Sequence, residues 1–300
     1  MNLRRLEYLI AIAEEGSFRA AAERVHVSPP SLSQQIRLLE AEVGGPLLER
    51  LPRGARLTPA GRALLPEART AVLAARRAGR AARAALDLEQ AELEIATVFS
   101  LAVGLLPEAI DRLVRSHPGI TISLREFLHR DELVRAVDDG VGDIAIGPVP
   151  PPRDGAVVEL GHESFVAVIG RRHAAFSAPR PVALETLADD DWVLFPEWHG
   201  LHQLVVTICA HAGFVPRDAI RTAQVEAAVR LAAGGLGVAI VPANIVPRHL
   251  SRHVRELEPP VFRVLCAFAR ADWSPQARAL LEALEVGTWP EVSPGAFVVP

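Results

Sequence analysis

The chain has only two cysteines in 300 residues and no lysine. Two cysteines cannot build the disulfide framework that stabilises small secreted proteins. The most apolar late stretch, residues 227–247, is interrupted by Arg230, by Asn244 and by glycine and proline, so it cannot cross a membrane as one clean helix. Residues 1–15 are amphipathic and charged and lack the apolar region of a signal peptide. These absences favour a soluble cytoplasmic protein with no membrane partner.

The sequence also lacks the motifs of common enzyme sites. It contains no glycine-rich phosphate loop, no nucleophile elbow and no cluster at metal-ligand spacing. His199 and His202 lie three residues apart, but lone pairs of this kind usually belong to a surface or a core. We therefore expect no catalytic residues, no metal and no cofactor.

Length and charge distribution point to at least two domains with different partners. A chain of 300 residues is too long for one compact core, and half of its residues are apolar. Residues 1–88 contain 14 arginines and nine acidic residues, whereas the remainder contains 18 and 27. A basic N-terminal part followed by an acidic remainder indicates an anionic partner for the N-terminal part.

Three helices are predicted in the first 45 residues. Asn2 and Ser17 are N-cap candidates for the first two helices, and Ser28 followed by Pro29 is a typical start for the third. The third helix is expected to end near Gly44. The predicted inward stripes are Leu3, Leu6, Ile10 and Ala13 in the first helix and Leu32, Ile36, Leu39 and Val43 in the third.

A wing and a long helix follow. Residues 47–50 and 55–57 are predicted to be short strands around a turn at 52–54. Thr58 and Pro59 open a helix that is expected to reach about Leu88. Its small apolar residues recur at alternating spacings of four and three: Leu64, Ala68, Ala71, Ala75, Ala78, Ala82 and Ala85. This heptad seam favours a helix–helix dimer contact over the alternative, a single helix packed in a core.

The outward face of the third helix has the side chains of a DNA-reading surface. With the stripe of Leu32 inward, a step of about 100° per residue points Pro30, Gln34 and Arg37 away from the core and leaves Ser31 and Ser33 at the edges. Glutamine can bond adenine, serine can donate or accept, and arginine suits guanine or phosphate. Wing residues Arg53 and Arg56 suit phosphate or minor-groove contact. Taken singly, each could be an ordinary polar surface residue; together they favour DNA binding.

The first 60 residues closely resemble the N-terminal domain of LysR-type transcriptional regulators. The resemblance rests on Gly16-Ser17-Phe18, Ala20-Ala21-Ala22, SLSQQIRLLE at 31–40, PLLER at 46–50 and LTPAG at 57–61. It implies a winged helix-turn-helix at 1–60, a linker and dimerisation helix at 58–90, and a homotetramer built from two dimers that bends promoter or operator DNA and contacts RNA polymerase. In such proteins the positions of Ser17, Pro30, Ser31, Ser33, Gln34 and Arg53 tend to touch DNA.

Residues 91–300 change to alternating strands and helices, typical of an open parallel sheet. Strands are predicted at 93–97, 120–126, 143–147 and 262–270, and helices at 101–116, 131–138, 200–213, 225–233 and 275–286; the tail from Gly287 is expected to be irregular. Leu105-Leu106-Pro107, His117-Pro118-Gly119, GDIAI at 142–146 and GGLGVAIVP at 234–242 resemble the family's effector domain. That resemblance implies a two-lobed α/β fold of periplasmic-binding-protein type, with one lobe at 91–162 and 268–300 and the other at 163–267.

A small organic effector is expected between the lobes, because ligands of open α/β sheets bind beyond the carboxyl ends of the strands. Ser100, at the start of the helix after strand 93–97, is the central candidate, although it could simply cap that helix. Phe195 and Trp198 could stack on an effector or belong to the core, and Arg130 could pair with an anion or be a solvated surface residue. The full predicted set is Phe99, Ser100, Leu101, His129, Arg130, Gly147, Pro148, Phe195, Pro196, Trp198, His199 and Val225.

Two other functions are compatible with parts of the sequence. Cys209 and Cys266 raise the possibility of a redox-sensing regulator, but both lie in apolar segments, where an inert buried thiol is favoured. A solute-binding receptor would also use the second half of the chain, but the N-terminal DNA module and the missing export signal oppose it.

Overall fold

The structure is a computed structural model that describes residues 1–51, 54–86, 92–177, 181–287 and 289–299. Its residues group into two units, Met1–Leu88 with Asp138–Val141, and Glu89–Val137 with Gly142–Pro300. A helical N-terminal part followed by a mixed α/β part confirms the predicted fold class. No helix in the described ranges is long and apolar enough to cross a membrane.

The first unit contains the predicted three helices, wing and long helix. Asn2 caps the first helix by accepting from the Arg4 amide at 2.9 Å, and Gly16 ends it in the left-handed conformation that glycine tolerates. Ser28 caps the third helix, and Gly44 ends it in the same way as Gly16. The elements are α1 (Leu3–Glu15), α2 (Phe18–Arg24), α3 (Pro29–Val43), β1 (Leu48–Leu51), β2 (Gly54–Leu57) and α4 (Pro59–Leu86).

The core of this unit follows the predicted stripe of α3 more closely than that of α1. Leu32, Ile36 and Leu39 are at most 2% exposed, whereas Val43 is 43% exposed because the last turn of α3 extends beyond the core. In the predicted stripe of α1, Leu6 is buried and Ile10 packs against the core, but Leu3 is exposed and Ala13 is half-buried. The other buried residues of α1 are Tyr8, Leu9, Ala11 and Ile12.

The small apolar residues along the seam of α4 lie in two environments, the core of the first unit and the solvent. Ala68 and Val72 are buried in the core of the first unit, and Leu64 and Ala71 pack against that core. Ion pairs from Arg69 to Glu14 and from Arg76 to Glu7 also join α4 to α1. In the first half of the seam these residues pack against the core of their own chain, as the alternative interpretation expected, and the predicted dimer contact of the helix stays a prediction. Further along, Ala78 and Ala82 are exposed, while the side chain of Ala85 lies outside the described residues.

The second unit is built of strands and helices in alternation. They are β3 (Glu92–Val98), α5 (Phe99–Gly104), α6 (Leu106–Ser116), β4 (Thr121–Phe127), α7 (Arg130–Asp138), β5 (Ile144–Pro148), β6 (Val157–Val168), β7 (Val182–Ala183), β8 (Asp191–Leu194), α8 (Gly200–His211), β9 (Arg217–Arg221), α9 (Val225–Ala233), β10 (Ala239–Pro242), β11 (Val254–Phe268), α10 (Pro275–Glu285) and β12 (Phe297–Val299). Short 3₁₀ turns lie at Ala174–Phe176, Leu184–Leu187, Ala243–Ile245 and Arg248–His253.

Two long strands join two hydrophobic cores. The main sheet runs β10-β6-β11-β5-β3-β4, with β4 and β5 parallel to β3, and β6 antiparallel to β11. One end of β11 contributes Leu257 and Val261 to one core, and its other end contributes Leu265–Phe268 to the other. Strands β8 and β9 form a separate parallel pair. Because β6 and β11 pass between the cores, any ligand site between the lobes must lie beside these two strands.

Two predictions about this unit were wrong. The helix expected at 101–116 is two helices, α5 and α6, because Pro107 has no N–H to continue the hydrogen-bond ladder back into α5. The tail is not irregular throughout, since β12 pairs in parallel with Val261–Arg263 of β11. Val299 packs in the same core as Val261 and Phe165, although the expected division placed all of 268–300 with the other lobe.

Candidate functional site

Helices α2 and α3 present one polar face to solvent. Pro30, Ser31, Gln34 and Arg37 are exposed, as the helical projection predicted, and Ser33 is half-buried at the edge. Ser17 is half-buried before α2, and its side chain makes no capping hydrogen bond there. The exposed face of α3 therefore carries a hydroxyl, a carboxamide and a guanidinium within two helical turns.

Contacts with α1 fix the rotation of α3. Arg5 donates from Nε to Gln35 Oε1 at 3.1 Å and forms an ion pair with Glu42. Gln35 thus faces α1, while the adjacent Gln34 faces solvent. Between α2 and α3, His26 adopts a φ of 54°, and the Val27 amide bonds the Ala22 carbonyl at 3.0 Å. The tight turn and the contacts of Arg5 with Gln35 and Glu42 together hold the outward face of α3 in one orientation.

The wing is attached to the turn between α1 and α2. The Ala55 amide donates to the Gly16 carbonyl at 2.7 Å. Gly54 has a φ of 135°, and a Cβ there would lie 2.5 Å from the Gly16 oxygen, so only glycine fits. Arg56 is exposed and pairs across the strands with Glu49 at 2.7 Å. Such an exposed pair is weak, so Arg56 remains available to a phosphate. The predicted contact Arg53 lies outside the described residues.

A small cavity in the second unit contains part of the predicted effector set. Its volume is about 60 Å³. Five predicted residues line it: Phe99, Ser100, Arg130, Pro148 and His199. The other lining residues, missed in the sequence, are Val98, Leu128, Gly200, Leu201 and Arg263. The Gly200 amide donates to the Leu128 carbonyl at 3.1 Å, which joins the start of α8 to the loop before α7 beside the cavity.

The remaining predicted effector residues do not line this cavity. Leu101, Phe195 and Val225 are buried among core side chains, and Gly147 is buried on β5. His129 and Pro196 are half-buried, and Trp198 is 55% exposed. The expectation that Phe195 stacks on a ligand is wrong, because its ring is fully buried and stacks on His199 at a centroid distance of 4.7 Å.

His199 caps the start of α8, and its imidazole is neutral. Its Nδ1 accepts from the Leu201 amide at 3.1 Å, which makes it the N-cap of the helix. Burial, together with the neighbouring His129, lowers the pKa of His199 to about 4. The ring is therefore neutral at pH 7, and the cationic groups on this cavity are the guanidiniums of Arg130 and Arg263.

A buried ion pair lies on the two long strands. Glu163 of β6 and Arg263 of β11 are direct partners in the antiparallel ladder, and Arg263 Nη2 pairs with Glu163 Oε2. They are 3% and 7% exposed, and the Arg263 guanidinium also lies 5.5 Å from the centroid of the Phe165 ring. No local motif marks either residue, because the site depends on a strand pairing 100 residues apart.

Glu163 faces a second, larger cavity of about 410 Å³. Glu108, Arg112, His162, Asn244 and Trp289 also line it. Asn244 donates from Nδ2 to Glu163 Oε1 at 3.3 Å. Glu163 thus lines the larger cavity and Arg263 lines the smaller one.

The two cysteines are poorly placed for redox chemistry. Both thiols are free and buried, Cys209 in the core around Phe195 and Cys266 in the core around Phe268. Burial raises the pKa of the Cys209 thiol to about 12, and burial with the nearby Glu159 raises that of Cys266. A redox sensor needs an accessible thiolate, so these surroundings favour inert core thiols.

A winged helix-turn-helix followed by a two-lobed α/β unit with polar cavities beside its long strands defines a class: DNA-binding regulators that carry a ligand-binding domain. Residues 3–62 match the family model of the bacterial regulatory helix-turn-helix protein, lysR family, and residues 86–287 match that of the LysR substrate binding domain. The chain belongs to the LysR family of transcriptional regulators.

Named relatives agree with this assignment. The HTH-type transcriptional regulator IlvR of Caulobacter vibrioides is 30% identical, over 97% of this chain and all of that one. The regulator ClcR of Pseudomonas putida is 32% identical over 82% of this chain and 84% of its own length. The solved structure of full-length CbnR with its target DNA aligns with a TM-score of 0.71 and 28% identity, covering 95% of this chain and 99% of that one.

Proposed function

We propose that this transcriptional regulator recognises its operator through Pro30, Ser31, Ser33, Gln34 and Arg37. The observation that carries this proposal is the exposed polar face of α3, held in one orientation by Ser28 at its start and by Arg5 of α1. The first turns of such a helix meet base edges in the major groove, where a carboxamide suits adenine and a guanidinium suits guanine or phosphate.

Residues flanking the helix would hold it on the DNA backbone. Ser17, at the start of α2, and Arg53 and Arg56, in and beside the wing, are the proposed phosphate or minor-groove contacts. Arg56 would exchange its exposed partner Glu49 for a phosphate. Phosphate contacts set affinity and its dependence on salt, whereas the face of α3 sets sequence preference.

We propose that the protein works as a homodimer and homotetramer. Ala78 and Ala82 continue the seam of α4 beyond the part that packs in the core, and their exposure leaves them free for a second copy of the helix. Two copies would hold two DNA-binding domains on two half-sites, as promoter recognition by a dimer requires. Contact with RNA polymerase and a cytoplasmic location follow from this role in transcription and belong to the same proposal.

The proposed effector site is the cavity beside Ser100. The Ser100 side chain faces it and has no hydrogen-bond partner among the described residues, while Phe99 and Pro148 supply apolar surface. A small organic molecule there would touch α5, α8 and β11 together. Movement about β6 and β11 on binding would favour one arrangement of the assembled protein, which is how an effector with unequal affinities for two arrangements changes transcription.

Ser100→Ala tests this site in cells that carry a reporter gene fused to the operator. Across a panel of growth media, at least one medium should change expression in the parent, whereas Ser100→Ala should give one fixed level because the effector loses its hydroxyl partner. Operator affinity of the purified variant without effector should stay within about twofold of the parent.

Ser123→Ala is the matched control, since Ser123 is an exposed serine on β4, away from the cavity. It should respond to the same media as the parent. A Ser100→Ala reporter that responds to those media with the parent's full range would place the effector site elsewhere.

A further inference from the structure

The larger cavity has walls that are set by close packing on two glycines. A Cβ on Gly161 would lie 2.6 Å from the Trp289 ring, and a Cβ on Gly104 would lie 2.4 Å from Asn244 Oδ1, so both side chains lie directly against the backbone. Trp289 also donates from Nε1 to the Leu284 carbonyl at 3.3 Å. The indole and the carboxamide are therefore held in place as parts of the cavity wall.

The same cavity is lined by an ion pair that is not closed by a hydrogen bond. Glu108 and Arg112 lie one turn apart on α6, and Arg112 Nη1 is 3.9 Å from Glu108 Oε2, which is too far for a hydrogen bond. Arg112 is held from the other side, because its Nε donates to the Ala283 carbonyl of α10 at 2.8 Å. Its two Nη groups make no hydrogen bond within the described part of the chain. Since the Arg112 side chain is 32% exposed and that of Glu108 is 80% exposed, a solute can reach both charges.

Two opposite charges this close together favour a ligand that also carries both signs. An α-amino acid has its ammonium and its carboxylate on the same carbon atom, so the two groups can meet Arg112 and Glu108 at once. Arginine suits the carboxylate because its planar fork can donate two parallel hydrogen bonds. A simple anion would instead meet the carboxylate of Glu108, and a simple cation would meet the guanidinium of Arg112, so each would be opposed by a like charge.

The cavity also has room for an amino-acid side chain. Its volume is about 410 Å³, whereas a cavity that holds benzene measures about 150 Å³. Trp289, Pro290 and Leu284 supply apolar surface along its wall. A side chain as large as an aromatic ring can therefore enter while the charged end stays on α6.

We propose that the larger cavity is a second regulatory site, which binds a free α-amino acid. The carboxylate of the amino acid accepts from the Nη groups of Arg112, its ammonium donates to Glu108, and its side chain packs against Trp289. This site is separate from the cavity beside Ser100, and the inference does not rest on the effector site proposed there.

A ligand in this cavity would touch both lobes. Leu284 and Trp289 pack in the core around Phe268, whereas Ala243, which also lines the cavity, packs against the core around Phe165. An amino acid that bridges these elements would favour one arrangement of the two lobes over another. The level of that amino acid would then act as a second input to the regulator.

The test measures binding of each standard amino acid to the full chain. Affinities come from the rise of the thermal unfolding midpoint with amino-acid concentration at constant ionic strength. At least one amino acid should bind. Its amide, which lacks the carboxylate, and its N-acetyl derivative, which lacks the ammonium, should each bind about tenfold more weakly or worse, since each loses charged hydrogen bonds.

Variants of the ion pair locate the site. Glu108→Gln should fold, because this side chain is exposed, and Glu108→Gln and Arg112→Gln should each weaken binding about tenfold. The matched control is Asp111→Asn with Arg115→Gln, which removes another ion pair of the same spacing on the same helix. Asp111 and Arg115 lie 3.0 Å apart, are exposed and do not line the cavity. The control should bind the amino acid as the parent does.

The outcomes separate this inference from the proposed effector site. If no standard amino acid binds the parent, or if either derivative binds as tightly as the amino acid itself, the zwitterion site is overturned. If Glu108→Gln and Arg112→Gln bind like the parent while Ser100→Ala loses binding, the amino acid occupies the cavity beside Ser100, so this inference fails and the proposed effector site stands. An equal loss in the control would show that the charge of the helix, and not a site at Glu108 and Arg112, causes the effect.

Discussion

A protein carrying Ala78→Glu and Ala82→Glu is expected to be monomeric and to bind its operator about 10²- to 10⁴-fold more weakly than the parent. Both positions are exposed on α4, and pairing of two such helices would bury two carboxylates from each copy. Loss of the dimer removes the gain in affinity that comes from holding two half-sites at once, and that gain is of this size. Analytical ultracentrifugation and fluorescence anisotropy with labelled operator would measure the two effects.

Ala78→Leu with Ala82→Leu is the control, because leucine is similar in size to glutamate but apolar. This variant should remain dimeric and keep operator binding. The choice of positions matters, since Ala68 and Ala71 pack in the core of the first unit and a glutamate there would unfold it. An unchanged mass for the double glutamate variant would place the dimer contact elsewhere.

Gln34→Ala is expected to weaken operator binding by about 1–3 kcal/mol, roughly 5- to 150-fold, and to relax base preference at one position of each half-site. The exposed carboxamide of Gln34 can make two hydrogen bonds to one adenine, and alanine makes neither. Anisotropy titrations against the operator and its single-base variants would report both losses.

The neighbouring glutamine provides a control of the same chemistry. Gln35 faces α1 and accepts from Arg5, so Gln35→Ala should lower the free energy of unfolding by about 1 kcal/mol and leave operator affinity within about twofold. Should Gln35→Ala weaken binding as much as Gln34→Ala, the assignment of the outward face of α3 is wrong.

The first unit was largely predictable because its determinants are local. Caps at Asn2 and Ser28 and the left-handed glycines Gly16 and Gly44 set the bounds of α1 and α3 within one residue of their expected ends. The phase of α1 was only partly predicted because this helix packs on α2, α3 and α4, which widens its buried face to include Tyr8. A single stripe cannot describe a helix with three helical neighbours.

The proposed effector cavity was only partly predictable, for a physical reason. Phe99 and Ser100 follow β3 directly, so the rule for ligand sites at strand ends locates them. Arg263 reaches the same cavity from the middle of β11, through a strand register that no local motif records. The prediction that Phe195 contacts a ligand was wrong, because its ring is buried and packs on His199.

The most direct test of the central claim is selection of duplex DNA by the purified protein from a random library, followed by measurement of affinity for the selected sequence and for random duplex. Recognition through two copies of α3 predicts one enriched motif with two half-sites, bound at least about 10³-fold more tightly than random DNA at physiological salt. A library that remains unenriched, or equal affinity for selected and random duplexes, would contradict the claim that this chain is a sequence-specific regulator.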